Sequence, residues 1–366
     1  MRSNLERRIQ AIGKGKVLAA LSCAGVLLSA AVSRADVLCV NTDGSGGCFT
    51  SVAVAVDAAG PLDQVEIAPG TYVEPIIPVS YVRKRVRGAG VGVTTIQWSG
   101  NFGFDVSGVG GRLDLSDVTV DGPAGGAAVR VGFTGRLELA RVELTGAMQG
   151  IGVSGGGGGN RTTVTDSTIH SNAEVGIVAA DRVRITRSLV HSNGSYGMRT
   201  FGRRGITVED STFSNNTDAA IYAFGGGSTT VRNSTIVGSS ALEGGALRVG
   251  GTRVKIEASI LSDDAGAVPG LADVSNSGTL ISRGFNLVKD GVSGTPAKGK
   301  TALDLVGVDP LLAPLGANGG PTLTHALAPG SPALEAVAVT RTCRRSDQRG
   351  QAREPAPCDI GAFEAP

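Results

Sequence analysis

Residues 163–172 read TVTDSTIHSN, and residues 184–193 read RITRSLVHSN. The phrases lie 21 residues apart and hold two of the chain's three histidines. They are either a catalytic pair or one motif that the backbone repeats. Aligning the chain on the serine decides between these. Ser167, Ser188, Ser211, Ser234 and Ser259 follow one another at spacings of 21, 23, 23 and 25 residues, with Val118 and Val142 holding the same place in two earlier copies. Three residues before that place stand Leu115, Leu139, Val164, Ile185, Val208, Val231 and Ile256. Two residues after it stand Val120, Leu144, Ile169, Val190, Phe213, Ile236 and Leu261. A third apolar column holds Val129, Ile151, Ile177, Met198, Ile221 and Leu247. Wholly apolar columns point inward. Three short strands per repeat of this length describe one coil of a right-handed parallel β-helix. Leucine-rich repeats share the period but need a leucine framework that is absent here.

The register carries further expectations. His170 and His191 become rungs on successive coils, about 4.8 Å apart. Two stacked imidazoles repel when both are protonated, so at least one histidine pKa should be lowered. Asn172, Asn193 and Asn216 fall in one column. They read as a ladder of stacked amides, placed where a turn tolerates the left-handed conformation.

Outside the repeats, 56 glycines and only 4% aromatic residues fit many short strands and turns. Residues 1–35 read as an export signal, with a basic start, the apolar run from Val17 to Val32 and small residues before a cleavage site after Ala35. That apolar run is short for a membrane span, so no span is expected once the signal is removed. Removing its six basic residues and one acidic residue turns the net charge of +2 into −3, which leaves no global case for nucleic acid. In an exported chain the local pairs Cys39/Cys48 and Cys343/Cys358 suggest two disulfides. The expected organisation is an N-terminal cap over 36–60 with a short helix within 49–60, coils over 61–290, and an irregular cap over 291–366 covering the open end.

The last stretch carries an ordered set of motifs: Asp309-Pro310, Asn318-Gly319-Gly320-Pro321, Thr324-His325-Ala326-Leu327, Pro329-Gly330-Ser331-Pro332, Asp347-Gln348-Arg349-Gly350 and Cys358 to Glu364. It resembles the choice-of-anchor Q domain of exported bacterial β-helix proteins. The mature start, "GCFTSVAVAVDAAGPLDQVEIAPGTYVE", is similar to the opening of the same class. The resemblance implies a secreted or cell-surface protein and supplies no catalytic residue.

Parallel β-helices include pectin and alginate lyases and polygalacturonases, so catalytic groups must be sought directly. The column before the aligned serines reads Asp117, Arg141, Asp166, Arg187, Asp210, Asn233 and Ala258. Asp166 and Asp210 are candidate carboxylates two coils apart, but Arg187 between them makes the column read as a charge ladder. An acid beside arginine should have its pKa lowered. Asn216-Thr217-Asp218 and Asp263-Asp264 mimic polygalacturonase motifs but read as turns. Residues 182–204 hold Arg182, Arg184, Arg187, Arg199, Arg203 and Arg204 and no acid, with His191 and Tyr196 among them. This basic stretch is the best candidate for binding an acidic glycan. No acidic cluster suggests calcium, and no cofactor or metal is expected. The leading expectation is a non-catalytic, monomeric surface protein whose side face meets glycan, matrix or protein. The alternative is a lyase or hydrolase acting on an acidic polysaccharide.

Overall fold

The computed structural model describes residues 35–123, 125–132, 134–153, 159–239, 244–262 and 271–366. The expected export signal lies outside them up to residue 34, as does the Asp263-Asp264 pair. The described chain is an all-β, right-handed parallel solenoid. Two strand columns form one 21-stranded assembly, and the third column is a 10-stranded sheet. Every pairing between strands is parallel, as in Leu139↔Val164, Ile169↔Val190 and Ile177↔Met198. The three apolar columns fill the interior, with Leu115, Ile185, Val190, Phe213, Ile177 and Ile221 at 0–1% exposure.

The first and second columns meet at a sharp corner with no loop. The corner is one residue in the left-handed region: Asp117, Arg141, Asp166, Arg187, Asp210, Asn233 and Ala258 have φ between 43° and 57°. Six of the seven carry a side chain that the bend strains, since only glycine enters this region freely; Ala258 pays the same backbone cost with the smallest side chain. Ion pairs down the corner offset this. Both carboxylate oxygens of Asp117 accept from Arg141 at 2.5 and 2.8 Å, and those of Asp166 from Arg187 at 2.8 and 2.9 Å.

The bend also explains the serines. The N–H just after each corner finds no strand partner and is buried. The next coil's serine hydroxyl accepts it: Val142 N to Ser167 at 3.1 Å, Ser167 N to Ser188 at 3.3 Å, Ser188 N to Ser211 at 3.2 Å. Each hydroxyl donates in turn to the carbonyl two residues back, as Ser167 does to Thr165 at 2.7 Å. Buried backbone groups need such partners. The asparagine ladder forms as well, with Nδ2 of Asn172 donating to Asn193 and Nδ2 of Asn193 to Asn216, both at 2.9 Å. The left-handed residue there is not the asparagine but the one before it: Ser171, Ser192 and Asn215.

The N-terminal helix is shorter than expected, Val52–Ala58. The Ser51 hydroxyl accepts from Val54 N at 3.3 Å, and the buried Glu74 carboxylate takes the Ser51 hydroxyl and the amides of Val52 and Ala53. A carboxylate at a helix start satisfies amides that have no partner within the helix. Cys39 bonds to Cys48, and Cys343 to Cys358.

The C-terminal segment lies along the flank of the solenoid, on the outer side of the second column. It buries Ile260 and Leu287 with its own Leu327, Val337, Ile360 and Phe363. Gln348 accepts from Thr212 at 2.6 Å, and Ala362 N donates to Thr235 at 2.9 Å. The covered outward positions are mixed: Thr212 and Thr235 bond to the segment, and the next two coils present Ile260 and Leu287 to its apolar side chains. His325, in the Thr-His-Ala-Leu motif, is buried here. Its Nδ1 lies 2.8 Å from the Ala313 carbonyl and its Nε2 2.9 Å from the Ser214 hydroxyl. A carbonyl only accepts, so Nδ1 carries a proton and donates it to Ala313.

Candidate polyanion-binding face

Wrapping the chain into coils divides the basic stretch 182–204 among three faces. Arg182 and Arg184 project from the first column, and Arg187 sits at the corner, held by Asp166. Arg199 projects from the third column, where Tyr196 packs on Tyr222 at 5.3 Å. Arg203 and Arg204 lie in the return to the first column, with Arg204 3.4 Å from Asp181. These side chains do not form one patch.

A different set of arginines comes together. Arg83, Arg112, Arg136, Arg161 and Arg182 share one outward register position on five successive coils of the first column. At the N-terminal end acids answer them: Arg83 pairs with Asp114, and Arg112 with Asp114 and Glu138. Further along, the neighbouring position changes from Asp114 and Glu138 to Thr163 and Arg184. Arg184 is taken by Glu209 at 2.8 Å. Arg136, Arg161 and Arg182 are exposed and make no ion pair with a described residue. Their Cα atoms stack at about 4.8 Å. Two shallow depressions adjoin the row. One, of about 200 Å³, is lined by Arg161, Thr163, Arg182, Arg184 and Thr207 and ends at Gly205. The other, of about 90 Å³, lies among Arg136, Arg161 and Arg182.

Like charges directly in register cost stability, by roughly 0.2–1 kcal/mol per pair. Here the chain bears that cost twice, at Arg136/Arg161 and Arg161/Arg182, on a solvent-facing row with polar hollows beside it. Guanidinium forks bind carboxylates and sulfates in bidentate fashion, so the row suits a linear polyanion running along the solenoid axis. The signal was present in the sequence as the first residue of each first-column strand. It is visible only down a column, whereas residues 182–204 were read along the chain.

The expected catalytic candidates fall elsewhere. Asp166 is engaged on both oxygens by Arg187. Asp210 is 2% exposed and sits beneath Arg344 of the C-terminal segment, whose Nε donates to it at 2.7 Å. Burial pushes its pKa up to about 6 and outweighs Arg344. The lowering expected of an acid beside arginine is therefore reversed at Asp210, because the site is sealed from water.

The two histidines stack on the second column, with ring centroids 4.9 Å apart and planes 11° from parallel. His170 Nε2 lies 3.0 Å from Glu143, which also accepts from Thr119 at 2.8 Å. The hydrogen bond from His170 holds the Glu143 pKa down. Burial, then repulsion from His170, lowers the His191 pKa from 6.5 to about 4. The sign of the consequence is fixed. Between pH 6.5 and about 4 the unfolded chain protonates this residue and the folded chain does not, so stability falls as pH falls through that window. The loss is on the order of 3 kcal/mol at 1.36 kcal/mol per pH unit. His191→Ser, which copies Ser214 one coil on, should flatten this dependence in denaturant titrations across the same pH range. An unchanged slope would place the depressed pKa elsewhere.

Residues 102–262 match the family model described as right handed beta helix region. Among solved structures the chain is similar to pectate lyase Pel9A, at 16% identity over 92% of this chain and 98% of that one, with a TM-score of 0.54. It is also compared with an alginate lyase from Paenibacillus sp. str. FPU-7, at 14% identity over 74% of this chain and 97% of that one, with a TM-score of 0.36. No curated protein sequence matches. Among the described residues no helix is long and apolar enough to cross a membrane.

Proposed function

We propose that this protein acts outside the cytoplasm on an acidic polysaccharide, which it holds along the first-column face with Arg136, Arg161 and Arg182. The observation that carries this is the row itself: three exposed guanidinium groups in register, without a carboxylate partner among the described residues. One solved structure similar over almost the whole chain is a pectate lyase, and this favours a polysaccharide over the protein or matrix partners also expected from sequence. Two disulfides suit an oxidising compartment, in keeping with the export signal read in residues 1–35 and with the resemblance of the C-terminal motifs to a choice-of-anchor Q domain.

A second reading adds cleavage of the bound polymer. One observation favours it: each coil bearing Arg161 or Arg182 also carries His170 or His191 on its next strand. Elimination from a uronate needs a cation on the carboxylate and a base for the neighbouring proton. His191, neutral at pH 7, can accept one.

The test is incubation of the mature protein with pectate, alginate, hyaluronan and heparin, following unsaturated products, reducing ends and binding together. Binding without products supports the first reading alone. Products that vanish in His191→Ser support the second. Neither binding nor products with any acidic polymer would overturn the proposal.

A further inference from the structure

The third column carries a separate feature that the basic row does not use. Its outward position reads Asp105, Arg130, Gly152, Val178, Arg199, Tyr222 and Arg248 on successive coils. Gly152 and Val178 make a dip between larger neighbours. The result is an open trough of about 250 Å³ with an apolar lining, including Phe102, Met148, Val178 and Phe201. At one end Arg130 lies 4.0 Å over the Phe102 ring and is paired with Asp105. At the other, four rings are grouped. Tyr222 packs on Tyr196 at 5.3 Å and on Phe224 at 5.1 Å, and Phe201 lies 6.2 Å from Phe224. The chain is only 4% aromatic, yet five of its rings border this one face. Phe201 is 38% exposed, so its ring is presented rather than buried. Arg199 is exposed and touches the Phe224 ring at 5.2 Å, and it makes no ion pair with a described residue.

We infer that this trough is a second carbohydrate site, taking a short oligosaccharide that contains a uronate. Exposed rings present flat apolar faces, which match the C–H faces of pyranoses while the hydroxyls stay in water. The three coil steps from Arg130 to Arg199 span roughly 14 Å, room for a short oligomer and too little for a folded partner. Arg199, at the edge and unopposed by an acid, supplies the charge complement to a carboxylate. A fatty acid could lay its chain on the apolar floor and its carboxylate on Arg199, so octanoate is the competing probe. The trough and the arginine row lie on different sheets, so either can bind when the other does not.

Short uronate oligosaccharides, the trisaccharides of pectate and alginate, are the probes, with saturation-transfer NMR and calorimetry as readouts. Phe201→Ala should weaken binding roughly tenfold, and Phe201→Tyr should retain it. Arg199→Gln should weaken the charged trisaccharide and spare its reduced, neutral counterpart. Val178→Phe, which fills the dip, should abolish both. Arg161→Gln with Arg182→Gln should leave trisaccharide binding unchanged, which separates this site from the row. The inference fails if no trisaccharide binds, if Phe201→Ala and Val178→Phe leave affinity intact, or if octanoate competes while the sugars do not. Phe201 is exposed and Val178 faces outward, so melting temperatures of the variants should match the wild type and exclude misfolding.

Discussion

Arg161→Gln combined with Arg182→Gln should weaken binding of an acidic polysaccharide by about tenfold or more at low salt, without loss of stability. A charged hydrogen bond contributes about 1.5–3 kcal/mol when well made. At exposed positions solvent screening takes much of that. Two lost contacts therefore leave a change near 1.4 kcal/mol or somewhat larger, which is a factor of ten or more. The variant should also show a shallower fall of affinity with salt, because fewer counterions are displaced. Stability should hold or rise by a few tenths of a kcal/mol, since two like-charged neighbours are removed. This combination distinguishes the row from a structural charge ladder. At the corner, Arg141→Gln would remove both hydrogen bonds that Asp117 accepts from it, leaving only Arg87 at 3.3 Å, and should lower stability while leaving polymer binding alone. Equal losses from the row and the corner, read by calorimetry and denaturant titration, would remove the row's special role.

The second large effect is structural. Arg353→Met should destabilise the docked C-terminal segment by about 3–5 kcal/mol, the cost of leaving a buried charge unpaired. The Arg353 side chain is wholly buried and pairs with Glu364 at 2.7 Å. It also donates to the carbonyls of Asp359 and Gly361 at 3.2 and 2.6 Å. Burial already raises the Glu364 pKa, and Arg353 acts against that rise. Without Arg353 the carboxyl takes up a proton at higher pH. The deficit should thus be largest at neutral pH and shrink on acidification. Loosening the segment would uncover Ile260 and Leu287 on the second column. Protease cleavage near residue 340 and binding of an apolar dye should rise together, while the coils before the docking site stay protected. A variant as stable as the wild type at neutral pH would contradict this reading of the motif.

These two effects mark where sequence reading succeeds and where it stops. The coils were legible because one column of serines and three of apolar residues repeat with the backbone. The spacing of those serines set the register of the coils, yet neither the corner beside them nor their task was legible. The need for a hydroxyl at Ser188 comes from the stranded N–H of Ser167, which exists only once Asp166 turns left-handed. The asparagine ladder was read, with the turn placed one residue late. The flank position of the C-terminal segment had a signal in the outward column, where Thr235 gives way to Ile260 and Leu287. Attention to inward columns passed it by. The basic stretch 182–204 is one run along the chain but not one patch, because charges adjacent in sequence are not adjacent in space. In a solenoid the neighbour of Arg182 is Arg161, and the neighbour of Arg161 is Arg136, each a full coil away in sequence. Asp210 shows the same limit in energetic form, since its pKa is set by a segment more than a hundred residues downstream.

The most direct measurement is arginine footprinting with a dicarbonyl reagent, with and without a bound acidic polysaccharide, read residue by residue by mass spectrometry. Arg136, Arg161 and Arg182 should be reactive in the free protein and protected together in the complex, with protection lost at high salt. Arg187, held by Asp166, should be slow to react in both. Binding of the polymer with undiminished reactivity at all three row arginines would contradict the proposed function.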